Sequence, residues 1–252
     1  MVKSADTPAA GEKALNLRIR GFLFGLCEID GRLSLRAPHL ERYGAISIDW
    51  ADADNKRRIM GGKKQLLAKA VGLAKNPQPL LLDCTGGLGR DAFTLASLGA
   101  SVSLLERCHP LVRLLQDAHS RALGHELSSI SLAAKQITVI EASAHQFLAA
   151  AAQQSAGPRW DVIYLDPMYP EDGKSALPSK EMQVLRDLTG GDADADELLA
   201  LARRCAGNRV VVKRPAKAPW LAGEKPGLEF MGNQARFDVY WPLPGVGGSQ
   251  SA

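Results

Sequence analysis

Short apolar runs alternate with amphipathic segments from residue 80 onward. The runs typical of buried strands are PLLLD, SVSLLE, QITVIEA, WDVIYLD and RVVVK. The helical periodicity lies between and after them, at 90–98, 111–123, 144–152, 180–188 and 194–205. Strands that alternate with helices predict an α/β fold with a doubly wound, Rossmann-like and mostly parallel sheet. LEFM and QARFDVYW, joined through Gly-Asn, predict a C-terminal hairpin that adds one antiparallel strand at or near an edge.

The first quarter of the chain has a different pattern of short, interrupted strands. Ile-Asp-Gly-Arg at 29–32 predicts a tight hairpin turn, and AISID at 45–49 predicts another strand. We therefore expect a small β-rich N-terminal subdomain at 15–55, ending in a linker that carries Asp52, Asp54 and basic residues. A helix at 64–74 is predicted to lead into the main domain, which spans 60–242. The two ends, 1–14 and 243–252, are predicted to be flexible tails.

Composition limits the class of protein. The chain of 252 residues is 46% hydrophobic and 23% charged, which is ordinary for a globular protein. No apolar run approaches the roughly 20 residues that span a bilayer, and the start lacks the apolar region of a secretory signal. The four cysteines form no C-x-x-C pair and have no His cluster beside them. We therefore expect a cytoplasmic protein with reduced thiols, no membrane partner and no metal.

The positive charges are clustered along the chain. One group is Lys56, Arg57, Arg58, Lys63 and Lys64, and the other is Arg203, Arg204, Arg209, Lys213, Arg214 and Lys217. Such groups are usually solvated surface. They become candidate phosphate contacts only if other features of the chain indicate a nucleic-acid partner.

A glycine-rich stretch, DCTGGLGRD at 83–91, follows the first strand of the alternating region. Gly86, Gly87 and Gly89 permit positive φ and close approach of a ligand, at the strand ends where open α/β sheets bind ligands. Glu106 ends the next strand, where an acid can accept hydrogen bonds from both hydroxyls of a ribose. The combination predicts a nucleoside-bearing cofactor, which leaves NAD and S-adenosylmethionine open; the alternative is an ordinary tight turn.

The charges beside the glycines favour S-adenosylmethionine. Asp83 precedes the glycines, and Arg90 and Asp91 follow them. A pyrophosphate prefers helix N–H groups that are free of nearby carboxylates. A methionine moiety carries an ammonium, a carboxylate and a sulfonium, so a pocket with acids and an arginine suits it better.

The stretch DVIYLDPMYP at 161–170 ends a strand with Asp166, Pro167, Met168 and Tyr169. It resembles the D/N-P-P-Y/F signature of methyltransferases that act on exocyclic or amide nitrogens, with Met168 in place of the second proline. A nucleobase amino group is a poor nucleophile, and a carboxylate that accepts its N–H would direct its lone pair toward the methyl group. Pro167 would stiffen the turn, and the Tyr169 ring could stack on the base. The alternative is a structural turn with a capping Asp.

Several stretches together resemble one family. They are GGKKQLLAKAVG, LLLDCTGGLGRDAFTLASLGASVSLLER, DVIYLDPMYP with the following KSALPSKEM, and RVVVKRP followed by RFDVYW. Over most of residues 60–242 the chain resembles the ribosomal RNA small subunit methyltransferase J family. The resemblance implies a class I methyltransferase that uses S-adenosylmethionine to methylate N2 of one guanine in 16S rRNA, either as free RNA or in the 30S subunit.

The resemblance also implies particular site residues. Cofactor contacts are implied at Arg90, Asp91, Glu106, Arg107, Ser143, Ala144 and Asp166, the one at Ala144 through backbone atoms. With RNA as the partner, the candidate phosphate contacts are Arg57, Arg58, Lys63, Lys64, Lys213 and Arg214.

Three other functions stay open from the sequence: N-methylation of adenine or a protein glutamine, an inactive RNA-binding module, and an NAD-dependent oxidoreductase. The basic groups favour nucleic acid over protein. The intact glycine loop, Glu106, Asp166 and Tyr169 argue against an inactive module. The oxidoreductase leaves the Asp-Pro-Met-Tyr turn unexplained.

Overall fold

The computed structural model describes residues 15–40, 43–153, 160–168, 179–192 and 194–244. Its strands are β1 (Leu15–Ile19), β2 (Phe22–Ile29), β3 (Arg32–Arg36), β4 (Ala45–Ser47), β5 (Leu80–Asp83), β6 (Ser101–Glu106), β7 (Ile137–Glu141), β8 (Trp160–Leu165), β9 (Ala206–Pro215), β10 (Leu228–Met231) and β11 (Ala235–Tyr240). Its α-helices are α1 (Ala53–Met60), α2 (Leu66–Val71), α3 (Arg90–Ser97), α4 (His109–Leu123), α5 (Ser128–Ala134), α6 (Ala144–Ala152), α7 (Lys180–Thr189) and α8 (Ala195–Cys205).

The larger sheet has seven strands in the order β10-β11-β9-β8-β5-β6-β7. Strands β5 to β9 are parallel, whereas β11 runs antiparallel to β9 and pairs with β10 in a hairpin. This confirms the α/β class and the antiparallel strand near one edge. The chain moves outward from β5 to β7 and then returns to place β8 on the other side of β5. The carboxyl ends of β5 and β8 therefore flank a topological switch point, where such sheets bind ligands.

The N-terminal strands form a separate four-stranded antiparallel sheet in the order β1-β2-β3-β4. The turn between β2 and β3 has two residues, Asp30 at φ 51° and Gly31 at φ 70°. Positive φ at both central positions defines a type I′ turn, whose twist matches that of the strands. The hairpin predicted at 29–32 is therefore confirmed. Arg20 and Gly21, at φ 52° and 87°, form a second such turn between β1 and β2.

The two sheets share one hydrophobic core. Phe24 and Leu35 of the N-terminal sheet are fully buried in the same cluster as Leu115 of α4. The Leu33 amide donates a hydrogen bond to Asp117 of α4 at 3.3 Å. Because apolar surface from both sheets is buried together, the N-terminal sheet packs directly against the main domain.

Two local predictions differ from the structure, and one helix was not predicted. The segment predicted as a linker is helix α1, because Asp52 caps it by accepting from the Asn55 amide at 2.7 Å. The helix expected at 64–74 is a 3₁₀ turn, Gly62–Lys64, followed by the short α2, which ends at Gly72 with φ 87°. Helix α5 was not expected from the sequence. The predicted tail at 1–14 and all but the first two residues of the predicted tail at 243–252 lie outside the described residues.

Within the described ranges, no helix is long and apolar enough to cross a membrane. In the same ranges no three His, Cys, Asp or Glu side chains are grouped so as to hold a metal ion. Cys84, Cys108 and Cys205 are thiols rather than disulfide partners.

Candidate active site

A cavity of about 600 Å³ opens at the carboxyl ends of β5, β6, β8 and β9. It brings together residues that are far apart in the sequence. Those predicted from the sequence and found in its lining are Asp83, Gly86, Gly87, Gly89, Arg90, Asp91, Glu106, Arg107, Ala144, Asp166, Pro167, Arg58, Lys213 and Arg214.

The remaining predicted residues lie elsewhere. Ser143 is outside the lining, and its hydroxyl accepts from the Gln146 amide to cap α6. Arg57, Lys63 and Lys64 are exposed around the end of α1. Tyr169 lies outside the described residues.

The glycine loop is packed too tightly for side chains. The Gly86 amide donates to the Leu105 carbonyl at 2.8 Å, and a Cβ on Gly86 would lie 2.8 Å from that oxygen. A Cβ on Gly89 would lie 2.8 Å from Cζ2 of Trp50, and Gly89 itself has φ 68°. The loop thus presents bare backbone to the cavity, and only glycine fits at these two positions.

Trp50 packs against this loop on the side away from the cavity, a role that was not predicted from the sequence. Its indole N–H donates to the Leu88 carbonyl at 3.2 Å. Its ring stacks on Phe93 of α3 with centroids 5.2 Å apart. A buried tryptophan needs a partner for its N–H, and here the partner is the backbone of the glycine loop.

Glu106 is buried at the end of β6 and holds the loop as well as facing the cavity. Its two carboxylate oxygens accept from the Gly87 and Cys108 amides, each at 2.8 Å. Burial raises the pKa of Glu106, and the amide hydrogen bonds oppose that shift. A carboxylate has about four lone-pair sites, so each oxygen can still accept a ribose hydroxyl.

Asp83 is a buried carboxylate without a cationic partner among the described side chains. It accepts from the backbone amide of Thr85 at 3.0 Å and from its hydroxyl at 3.3 Å. Burial raises the pKa of Asp83 to about 7, and the negative charges of Asp91 and Asp166 add to the shift. The ionised form of such a group is stabilised by a ligand that brings positive charge.

Asp91, at the start of α3, is held by three donors. They are the Tyr164 hydroxyl at 2.7 Å, the Lys213 ammonium at 2.8 Å and the Arg58 guanidinium at 3.1 Å. Burial alone would raise the pKa of Asp91, but Lys213, Tyr164 and Arg58 together hold it below its usual range. The carboxylate therefore stays charged and fixed.

Asp166 follows β8 and lines the cavity. Its backbone amide donates to the Thr85 hydroxyl at 2.7 Å, and its Oδ2 accepts from Lys213 Nζ at 2.8 Å. The side chain keeps 37% of its surface exposed. Burial of the site raises the pKa of Asp166, and the Lys213 ammonium opposes the shift. Both the backbone and one carboxylate oxygen are thus fixed at the cavity.

Lys213 and Arg214 are not the exposed cations that the sequence led us to expect. Lys213 is paired with two carboxylates. Arg214 is buried and donates to the Pro219 carbonyl at 3.2 and 3.1 Å, and Arg209 of the same strand is also buried. Strand β9 lies inside the sheet, between β8 and β11, rather than at its edge.

Arg90 and Arg107 connect the two sides of the cavity. Arg90 forms a bidentate pair with Glu181 of α7, both N···O distances being 2.8 Å. Arg107 binds Asp192 at 2.9 Å and Asp194 at 3.1 Å, and also donates to the Gly191 carbonyl. This gives Arg107 a physical role, since it fastens the loop between α7 and α8 to the end of β6.

Glu181, Asp192 and Asp194 were not singled out from the sequence, although all three line the cavity. Asp192 also accepts from the Met168 amide at 2.8 Å, which ties the same loop to the end of β8. One sequence feature could have indicated this loop: Asp192 and Asp194 follow the Gly190-Gly191 pair, just after the helix predicted at 180–188.

Comparisons with known proteins agree with this geometry. A family model of SAM-dependent methyltransferases matches residues 18–242. The crystal structure of a SAM-dependent methyltransferase from Neisseria gonorrhoeae is 33% identical, with a TM-score of 0.66, and covers 87% of this chain and 82% of that one. The seven-stranded sheet and its glycine-lined cavity are accordingly those of an S-adenosylmethionine-dependent class I methyltransferase.

Curated relatives identify one family within this class of methyltransferases. Proteins named ribosomal RNA small subunit methyltransferase J are 44% identical in Laribacter hongkongensis and 46% identical in Pseudoalteromonas translucida. The alignments cover 85% and 86% of this chain, and 74% and 84% of those proteins. The chain belongs to the ribosomal RNA small subunit methyltransferase J family, which confirms the resemblance seen in the sequence.

Proposed function

We propose that the protein transfers a methyl group from S-adenosylmethionine to the exocyclic N2 of a guanine in 16S rRNA, in the cytoplasm. The observation that carries the proposal is the Asp166 carboxylate beside the glycine loop: Lys213 holds one of its oxygens, and the Asp166 backbone amide donates to the Thr85 hydroxyl. Family membership supports ribosomal RNA as the substrate.

The residues of the cavity fit S-adenosylmethionine. The glycine loop offers backbone without side chains, Glu106 offers acceptors for ribose hydroxyls, and Asp83 offers an uncompensated negative charge. Arg90 has further N–H donors beyond its pair with Glu181 for the methionine carboxylate. When bound, the cofactor supplies an electrophilic methyl group on a sulfonium.

Asp166 would act on the amino group of the guanine. Its free oxygen accepts one N–H, which directs the N2 lone pair toward the methyl group. The N2 lone pair would form the new N–C bond with the methyl group that the bound cofactor supplies, and the electron pair of the broken S–C bond would remain with the cofactor. Asp166 then takes the proton that N2 releases and passes it to water. The Tyr169 ring remains our predicted stacking partner for the base.

Transfer of radiolabelled methyl groups tests this proposal. Small subunits that lack the modification, free 16S rRNA and ribosomal proteins would each be offered with labelled cofactor, followed by digestion to nucleosides. We expect the label in N2-methylguanosine. Label in N6-methyladenosine or in protein glutamine would replace the proposal by one of its alternatives.

A first prediction concerns the surface around the end of α1. Arg57, Lys63 and Lys64 are exposed, so we expect them to contact phosphates. Each change to Gln should weaken rRNA binding and reduce the slope of log K against log salt by about 0.7 to 0.9. Affinity for the cofactor should not change. Salt titration of rRNA binding measures this, with Lys75→Gln as the control. An unchanged slope would make these residues ordinary solvated surface.

A second prediction follows from Asp83, whose pKa is raised to about 7. Because its ionised form is the one that attracts a cationic cofactor, affinity should fall about 10-fold per pH unit below 7, and binding should release a proton. In the ligand-free protein the folded state binds this proton more tightly than the unfolded chain. The Asp83 contribution to stability therefore falls as pH rises from about 4 toward 7.

Calorimetry between pH 5.5 and 7.5, in two buffers with different ionisation enthalpies, measures both affinity and proton release. Asp83→Asn should bind more weakly at pH 7.5 and lose the pH dependence. The same slope in wild type and in Asp83→Asn would assign the titration to another group.

A further inference from the structure

Lys213 occupies a place that its sequence context did not predict. It lies on β9, one residue beyond Val212, which pairs with Leu165 of β8. This register places Lys213 beside Asp166. Its Nζ lies 2.8 Å from Asp166 Oδ2 and 2.8 Å from Asp91 Oδ2. One ammonium thus bridges two carboxylates that belong to different elements.

The bridge is anchored at its far end. Asp91 receives further hydrogen bonds from the Tyr164 hydroxyl and from Arg58, which hold its carboxylate in place. Lys213 is therefore held by a fixed group, and it holds Asp166 in turn. The side chain of Lys213 keeps only 26% of its surface exposed. An ammonium already shared by two carboxylates is a poor partner for an RNA phosphate.

The bridge leaves the two oxygens of Asp166 in different states. Oδ2 accepts from Lys213, whereas Oδ1 has no hydrogen-bond partner among the described residues. Asp166 needs only one oxygen to accept the N–H of an amino group. Because Lys213 fixes Oδ2, the orientation of Oδ1 toward the amino group is fixed as well, provided that the carboxylate stays ionised.

We infer that Lys213 is a positioning residue for methyl transfer: it orients the Asp166 carboxylate and keeps it charged, and it does not bind RNA phosphates. The inference rests on the proposed role of Asp166. The charged and titratable groups around the pair are Asp83 on β5, Asp91 on α3, Tyr164 on β8, Asp192 on the α7–α8 loop and Arg58 on α1. The acids among them oppose ionisation of Asp166, and among the described residues Lys213 is the cation in contact with it.

Lys213→Met gives the main test, in single-turnover transfer to small subunits across pH 5.5 to 9. We expect a rate about 100-fold lower at pH 7, the scale of loss when a reacting group is misplaced by about 1 Å. The acid limb of the pH–rate profile should move to higher pH, so that the deficit shrinks as pH rises. Lys213→Arg should recover much of the rate, because a guanidinium can bridge the same two carboxylates. Affinity for rRNA and its salt slope should stay as in wild type.

Loss of Lys213 leaves two carboxylates side by side, which could prevent folding. The double variant Lys213→Met, Asp91→Asn removes one of these charges and still lacks the bridge, so it should fold and stay slow. Lys75→Met, an exposed lysine in the loop before β5, is the matched control. It should show the wild-type rate and profile.

A normal rate and a normal profile in Lys213→Met, or in the double variant, would overturn the inference. A normal rate with weaker rRNA binding and a shallower salt slope would make Lys213 a phosphate contact instead. If wild type methylates a different nitrogen substrate, the proposed function fails, and the same variants then test Lys213 on that substrate.

Discussion

We expect Asp166→Ala to lower single-turnover methyl transfer by about 10²- to 10³-fold, the usual effect of removing one preorganised hydrogen-bonding group from an active site. The fold should persist, because the Asp166 backbone amide keeps its bond to Thr85. Asp166→Asn should be nearly as slow. Lys213 is a donor at 2.8 Å, so the Asn carbonyl oxygen would turn toward it and leave the NH₂ facing the target amino group.

Single-turnover rates at saturating substrate measure both variants, with cofactor affinity as the check on the fold. Asp30→Asn is the matched control, since Asp30 lies in a type I′ turn of the N-terminal sheet that accepts Asn. An Asp166→Asn rate above about one tenth of wild type would contradict the orientation imposed by Lys213. A near-normal Asp166→Ala rate would make the turn after β8 purely structural.

Gly86→Ala should weaken cofactor binding by about 100-fold, which corresponds to about 2.8 kcal/mol. The new Cβ would lie 2.8 Å from the Leu105 carbonyl oxygen and 3.2 Å from Glu106 Cβ. Leu105 and Glu106 are held in β6 by pairing with β7, so we expect the glycine loop to shift instead. That shift would distort the hydrogen bond from the Gly87 amide to Glu106. Overpacking of this kind also costs about 1 to 3 kcal/mol of stability.

Calorimetry with S-adenosylmethionine and thermal unfolding measure the two consequences separately. Gly44→Ala is the control, because Gly44 is exposed and a Cβ there would meet nothing within 4 Å. Cofactor affinity within three-fold of wild type in Gly86→Ala would mean that the loop does not form the binding surface.

The order of strands and helices in the main domain could be predicted because periodicity is a local property. Helix α6 begins and ends at the predicted residues, 144 and 152. The unpredicted α1 also had local signals, since Asp52 is a capping residue, Asp54 lies in the first turn and Arg58 in the last. The segment has no continuous apolar face, so hydrophobic periodicity does not indicate a helix there.

The site was only partly predictable, because its key pairs depend on strand order. Asp166 and Glu106 were found from their positions at strand ends. The bridge from Lys213 to Asp91 joins residues 122 positions apart. Whether Lys213 faces solvent or a neighbouring carboxylate depends on β9 lying between β8 and β11. The loop that Arg107 holds was missed for the same reason.

The uncompensated charge of Asp83 has a consequence for the end of the catalytic cycle. The methyl donor enters with a positively charged sulfonium, and the spent cofactor leaves with a neutral thioether. A carboxylate whose hydrogen-bond donors among the described residues are an amide and a hydroxyl attracts the first more strongly than the second. Methyl transfer thus removes part of the electrostatic attraction between Asp83 and the cofactor. This favours release of the spent cofactor and limits inhibition by spent cofactor that accumulates.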